Sequence, residues 1–173
     1  CFGPIDPDES SETYGYITAP PKPGWQNTNV VGFLRERLPS QKQNVRIAFD
    51  TDVNAPALAE ARGTRFSSLA YVTVGTGVGV GLFINGAPVH GLLHPEAGLI
   101  SCPRLEGDSL DDSGLTSLDC PGWFEVEAMC ATRALARRAG CTAEELKDLP
   151  DDHEVWAACA HYLASMCANL VLV

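Results

Sequence analysis

The 173-residue sequence predicts an α/β fold. Three observations carry that expectation. Runs that alternate like strands are followed by runs with helical spacing. Two strand-like runs are joined by Asn85-Gly86. Beyond a polar loop near Asp108 to Asp119, the remainder reads as helix.

The elements follow in order. Ala19-Pro20-Pro21-Lys22-Pro23-Gly24 is an extended connector, because each proline pushes its predecessor out of the helical region, and Trp25 is expected to anchor it. Asn29 is a good N-cap for a helix through Val30, Phe33, Leu34 and Leu38, which Pro39 ends. Val45-Arg46-Ile47-Ala48-Phe49 alternates as a strand does. Ala55 to Arg62 reads as a helix stopped by Gly63. Leu69 to Val74 and Val80 to Ile84 are strands, and Asn85-Gly86 turns the second into Ala87-Pro88-Val89. Trp123 to Ala139 has helical spacing and stops at Gly140. Asp151 or Asp152 is placed to cap a last helix.

Composition bounds the function. With 45% hydrophobic residues the chain can bury a core, and its length suits one domain or slightly more. A formal net charge of −10, with no basic cluster larger than Arg137-Arg138, excludes a nucleic-acid footprint. No apolar run is long enough to span a membrane and no leader is visible, so a cytoplasmic location is expected. The seven cysteines lack any CxxC pair and sit mostly in apolar helical text, which suits reduced, buried thiols. The chain starts at Cys1 without a methionine and ends inside Leu170-Val171-Leu172-Val173, so both ends are expected to be cut.

Three segments can carry chemistry. In Gly75-Thr76-Gly77-Val78-Gly79-Val80-Gly81, glycine at every second position leaves one face of an extended segment without side chains. Another backbone, or a polyphosphate, can then approach the main-chain amides. The run lacks the Gly-Lys-Ser/Thr of a Walker loop, and a strand rather than a helix follows it. Asp50-Thr51-Asp52-Val53-Asn54 places two acids and an amide at the end of a predicted strand, where α/β proteins bind ligands. One acid can accept a proton from a substrate hydroxyl; alternatively, Asp52 or Asn54 simply caps the next helix. In His90-Gly91-Leu92-Leu93-His94-Pro95-Glu96, histidine and glutamate can bind sugar hydroxyls or stand solvated. The spacing of Cys102, Cys120 and these histidines does not make a zinc site.

Taken in order, these segments resemble the fructokinase-like branch of the ROK sugar kinases. The likeness runs through Gly3-Pro4-Ile5-Asp6, Tyr14-Gly15-Tyr16-Ile17-Thr18, Pro21-Lys22-Pro23-Gly24-Trp25 and Phe49-Asp50-Thr51-Asp52-Val53-Asn54-Ala55. It continues through Thr73 to Gly79 and His90 to Gly98, and more weakly through Asp152-His153, Trp156 and Tyr162-Leu163-Ala164. The resemblance implies an actin-like ATPase (ribonuclease H-like, hexokinase-type) fold, incomplete at both ends. Residues 1–54 would be the remainder of a small N-terminal α/β lobe, and 55–173 part of a large one.

It also implies roles. Asp52 would be the general base, Gly75, Thr76 and Gly77 would contact the ATP phosphates, and Gly3, Pro4, Asn54 and Glu96 would face the sugar. Mg²⁺ would arrive with ATP. The implied reaction is phosphorylation of fructose or mannose at the 6-hydroxyl by a larger parent protein, with sugar and ATP as partners and a homodimer as the parent's expected state. The departures weaken the carry-over to this chain alone. The family's amino-terminal phosphate loop and its adenosine-binding segment have no counterpart here. Leu99 stands where the family has a histidine, and Cys120 is the sole survivor of the zinc cluster, so zinc is predicted absent and the isolated chain inactive. A non-catalytic sugar-binding or scaffold descendant is the alternative. A repressor is disfavoured, since no helix-turn-helix precedes the kinase-like text.

Overall fold

The computed structural model describes residues 4–20, 23–39, 45–91, 97–110 and 123–172. The chain divides into two compact units. One holds Cys1–Tyr71 with Gly81–Pro95, the other Val72–Val80 with Glu96–Val173. Gly81 gives the reason for the first unit: an added Cβ there would overlap the Val53 carbonyl and the Asn54 amide. A side-chain-free position lets the strand backbone settle directly on the start of the helix that begins at Asn54.

In the first unit, β1 (Tyr16–Ile17) pairs antiparallel with β2 (Thr28–Asn29). Asn29 then caps α1 (Val30–Arg37), its side chain accepting from the Gly32 amide at 2.7 Å. The expected helix is there, but its apolar residues divide. Val31 is buried under Gly15, whereas Phe33 and Leu34 are about half exposed. Trp25, expected to anchor the connector, is 44% exposed, and with Phe33 and Leu34 it forms an apolar surface strip. Residues 45–50 belong to no strand despite their alternation, because no described strand supplies the ladder that defines one.

Helix α2 (Asn54–Arg62) ends at Gly63, as the sequence predicts. Pro56 is tolerated in its first turn, where an amide would lack an intrahelical partner anyway. Ala57 and Ala61 pack with Phe83, and Leu58, Leu69 and Tyr71 surround them in one apolar cluster of the unit. β3 (Leu69–Val74), β4 (Val78–Ile84) and β5 (Ala87–Val89) form one sheet in that order. The β4–β5 hairpin pairs Ile84 with Ala87 across Asn85 (φ 51°) and Gly86 (φ 88°). Both turn residues adopt the positive φ that Asn-Gly supplies at least cost.

In the second unit β6 (Ser101–Pro103) pairs antiparallel with β7 (Trp123–Glu125). The single helix expected from Trp123 to Ala139 is three elements: β7, α3 (Val126–Cys130) and α4 (Thr132–Arg138). Ala131 is extended, at φ −65° and ψ 151°. The cause lies in Thr132, whose amide and hydroxyl both bond the Gly75 carbonyl at 2.7 Å, so its amide is lost to the helical ladder. α5 (Glu154–Val171) is capped by neither Asp151 nor Asp152. The His153 ring nitrogen Nδ1 accepts from the Val155 amide instead, at 3.2 Å.

Val155, Ala158, Cys159, Tyr162 and Met166 form the buried stripe of α5. Val126, Met129 and Cys130 of α3 are fully buried in the same unit. Among the described residues no helix is long and apolar enough to cross a membrane. Cys102, Cys130 and Cys159 are buried free thiols, and burial raises the pKa of Cys102.

Candidate functional site

The segment Asp50-Thr51-Asp52-Val53-Asn54 is a tight turn into α2, and its cap is a residue the sequence reading passed over. Thr51 is buried at 1% exposure. Its Oγ1 accepts from the Asn54 amide at 2.9 Å, and its carbonyl accepts from Ala55. Neither Asp52 nor Asn54 is therefore needed as the cap. Asp52 lies exposed in the turn, and among the described residues no hydrogen bond or ion pair engages its carboxylate.

The rest of the turn is tied down. Asp50 Oδ1 accepts from the Thr51 amide at 2.7 Å, and Asp50 Oδ2 lies 2.9 Å from His90 Nε2. The turn's last residue, Asn54, is fully buried and donates from Nδ2 to the Val89 carbonyl at 3.0 Å. Among the described residues its Oδ1 has no hydrogen-bond partner. His90 is thus no solvated loop histidine: its side chain is 39% exposed and is bound to an acid that is 19% exposed. The expected sugar-facing Pro4 uses its carbonyl within the unit, accepting from the Thr18 amide at 2.8 Å and from the Thr18 hydroxyl at 3.1 Å. Gly3 and Glu96 lie outside the described residues.

The glycine run begins in the second unit. The Gly75 amide bonds the Gly77 carbonyl at 2.9 Å, closing a bend before β4 starts at Val78. The Val78 amide is taken by Glu127 Oε2 at 2.8 Å. The absent side chain of Gly77 makes room for that carboxylate, since an added Cβ would lie 2.5 Å from Oε2. The lack of side chains here serves close packing, as one reading of the run proposed. Yet Gly75 faces open space, Thr76 is exposed, and the Thr76 hydroxyl with the amides of Thr76 and Gly77 is taken by no described contact. A bend of this kind offers donors to an anion.

Two contributors were missed from the sequence. Glu127 sits 49 positions beyond the amide it holds, and Thr132 57 beyond the Gly75 carbonyl. No local pattern announces either pairing. A Gly at a position that a carboxylate must approach is the sole trace, visible once the partner is known. Among the described residues no three His, Cys, Asp or Glu side chains converge on a point that could hold a metal ion. Leu99 is 42% exposed and brings no donor, and Cys102 Sγ donates to the Phe124 carbonyl; Cys120 lies outside the described residues.

Residues 1–173 match the sequence profile of the ROK family. A fructokinase of Lactococcus lactis subsp. cremoris is 38% identical over 173 residues, covering 99% of this chain and 55% of that protein. Among solved structures, a ROK hexokinase from Thermus thermophilus superposes with a TM-score of 0.67 at 24% identity, over 98% of this chain and 55% of the other. A ROK family glucokinase from Streptomyces griseus, in complex with glucose and AMPPNP, gives 0.59 at 19% identity, over 90% and 56%. The chain spans about half the length of the curated relatives it matches. These likenesses show the fold expected above, an actin-like ATPase fold, over the portion the chain spans.

Proposed function

The chain belongs to the ROK family, and from that premise we propose that it is part of an ATP-dependent hexose kinase that phosphorylates the 6-hydroxyl of fructose, with mannose as a second substrate. In this reading Asp52 is the general base. As the sugar O6 attacks the γ-phosphorus, the O6–H proton passes to the Asp52 carboxylate and the bond from that phosphorus to the ADP oxygen breaks. Phosphoryl transfer asks for positioning and for neutralised charge more than for covalent participation, so one well-placed acid suffices. Mg²⁺ comes with the nucleotide as part of the substrate and neutralises phosphate charge.

The phosphates are assigned to the bend Gly75-Thr76-Gly77. There the Thr76 hydroxyl and the amides of Thr76 and Gly77 are the donors, while Gly75 contributes open surface. Asn54, with one buried acceptor unpaired, and the Gly3-Pro4 and Glu96 segments are assigned to the sugar side. The observation that carries the reading is the state of Asp52. Its carboxylate is exposed and, among the described residues, unengaged, because Thr51 has taken over the cap. The relatives named fructokinase support the substrate class.

The test is Asp52→Asn in the complete protein. Fructose-dependent ADP release should vanish while the thermal midpoint stays in place, and wild-type turnover in that variant would refute the assignment. The 173-residue chain alone should release negligible ADP, well below the roughly 1 s⁻¹ at the low end for kinases. A second reading, a sugar-binding descendant without catalysis, draws on Leu99 occupying a histidine's place. Fructose binding by the complete protein without any ADP release would favour it.

A further inference from the structure

We propose that His90 is a positioning residue for Asp52, acting through Asp50. The inference rests on the kinase reading above for its catalytic consequence, and on geometry alone for the clamp itself. The turn that presents Asp52 emerges from residues 45–50, which are in no sheet, so no ladder holds its entrance. A base that must meet a hydroxyl within hydrogen-bond reach cannot sit on a free loop.

Two consecutive residues at the end of β5 supply the hold. His90 Nε2 is 2.9 Å from Asp50 Oδ2 at the start of the turn, and the Val89 carbonyl accepts from Asn54 Nδ2 at 3.0 Å at its end. Asp52 is the midpoint, two residues from either grip. Inside the turn, Asp50 Oδ1 accepts from the Thr51 amide and Thr51 Oγ1 from the Asn54 amide. The hydrogen bonds therefore run from His90 through Asp50 and Thr51 to Asn54, and back to Val89. The one carboxylate left out of the ring is that of Asp52.

The ring also separates two like charges. Asp50 and Asp52 are two positions apart, and a second free carboxylate beside the base would compete for its role and its counter-charges. With the His90 N–H on Oδ2 and the Thr51 amide on Oδ1, both oxygens of Asp50 have a donor. Asp50 is thereby fixed as an anchor, and Asp52 remains the proton acceptor. The β4–β5 hairpin, with its tight Asn85-Gly86 turn, is a stiff support for such a clamp.

The experiment has two arms. In the complete protein, His90→Ala should lower kcat by about tenfold or more, as a misplaced base does, with KM for the sugar nearly unchanged. His90→Gln, whose amide nitrogen can stand where Nε2 does, should recover most of that loss. In the same complete protein, hydrogen exchange at the Thr51 and Asn54 amides should quicken about tenfold in His90→Ala and return in His90→Gln, with Gly63 and its neighbours unaffected. Unchanged exchange in His90→Ala, a failure of His90→Gln to rescue, or a change in KM in place of kcat would each overturn the proposal. Should Asp52→Asn keep full activity, the base assignment falls, and the exchange arm still reads the clamp by itself.

Discussion

Glu127 Oε2 accepts a hydrogen bond from the Val78 amide at 2.8 Å, at the one place where Gly77 leaves room for it. A methyl group at residue 77 would lie 2.5 Å from Oε2, so the flexible Glu127 side chain would have to swing aside and loosen its bond to the part-buried Val78 amide, at a cost of about 1 kcal/mol. Gly75, two residues earlier, has no atom of the described residues within 4 Å of its missing Cβ. Gly77→Ala should therefore lower the urea midpoint clearly, while Gly75→Ala should stay within about 0.5 kcal/mol of the parent. Equal losses from the two substitutions would show that the bend is not built around Glu127.

The cap of α2 makes a second prediction. Thr51 is buried, and its hydroxyl is the acceptor for the Asn54 amide. Thr51→Val keeps the shape and removes the acceptor, so unfolding free energy should fall by about 1–2 kcal/mol, and Thr51→Ser should restore most of it. Asp52→Ala should leave stability within about 0.5 kcal/mol, since its carboxylate holds nothing. A large loss from Asp52→Ala would mean that Asp52 shares the cap.

These cases show what the sequence made legible. Local signals were readable to the residue: Asn29 as a cap, Gly63 as a stop, Asn85-Gly86 as a turn, and Leu69–Val74 as a strand. Each depends on atoms within a few positions of one another. What failed was set at a distance. Val45 to Phe49 alternates well, but a strand exists only with a neighbour to pair with. The break at Ala131 comes from Gly75, and the grip of His90 on an acid 40 positions away cannot be inferred from a loop containing a histidine. Around Asp52, Thr51 and Asn54 were also cap-capable by type, and the course of the turn, which brings Thr51 Oγ1 to 2.9 Å from the Asn54 amide, decided for Thr51.

A buried polar network in the second unit yields a third prediction. Asp108 Oδ2 bonds Arg138 Nη2 at 2.6 Å and accepts from the Tyr162 hydroxyl at 2.8 Å, and neither side chain of the ion pair is exposed. Burial pushes the Asp108 carboxyl up, but the hydrogen bonds from Arg138 and Tyr162 more than offset it and hold the pKa below its ordinary value. Asp108→Ala strands the Arg138 guanidinium inside the unit and should cost about 3–5 kcal/mol in chemical denaturation. A depressed carboxylate stabilises above its unfolded pKa. That contribution is accordingly complete above pH about 4 and lost as acid takes the pH through the lower folded value. A cost under about 1 kcal/mol would mean that water reaches the pair.

The same network gives a prediction of opposite sign in alkali. Tyr162 is fully buried, and burial is the leading reason its hydroxyl pKa is pushed up to about 12, with the Asp108 charge acting in the same direction. Its folded pKa lies above the unfolded value of 10.0. Between the two, the unfolded chain releases this proton while the folded chain keeps it. Stability supplied by the protonated hydroxyl is therefore whole below pH about 10 and drains away up to about 12, by roughly 3 kcal/mol in all. In Tyr162→Phe this fall should be missing from the unfolding free energy measured against pH, although the variant starts lower because Asp108 loses a donor. If parent and variant fall in parallel from pH 10 to 12, another group carries the alkaline loss and the Tyr162 hydroxyl is open to water.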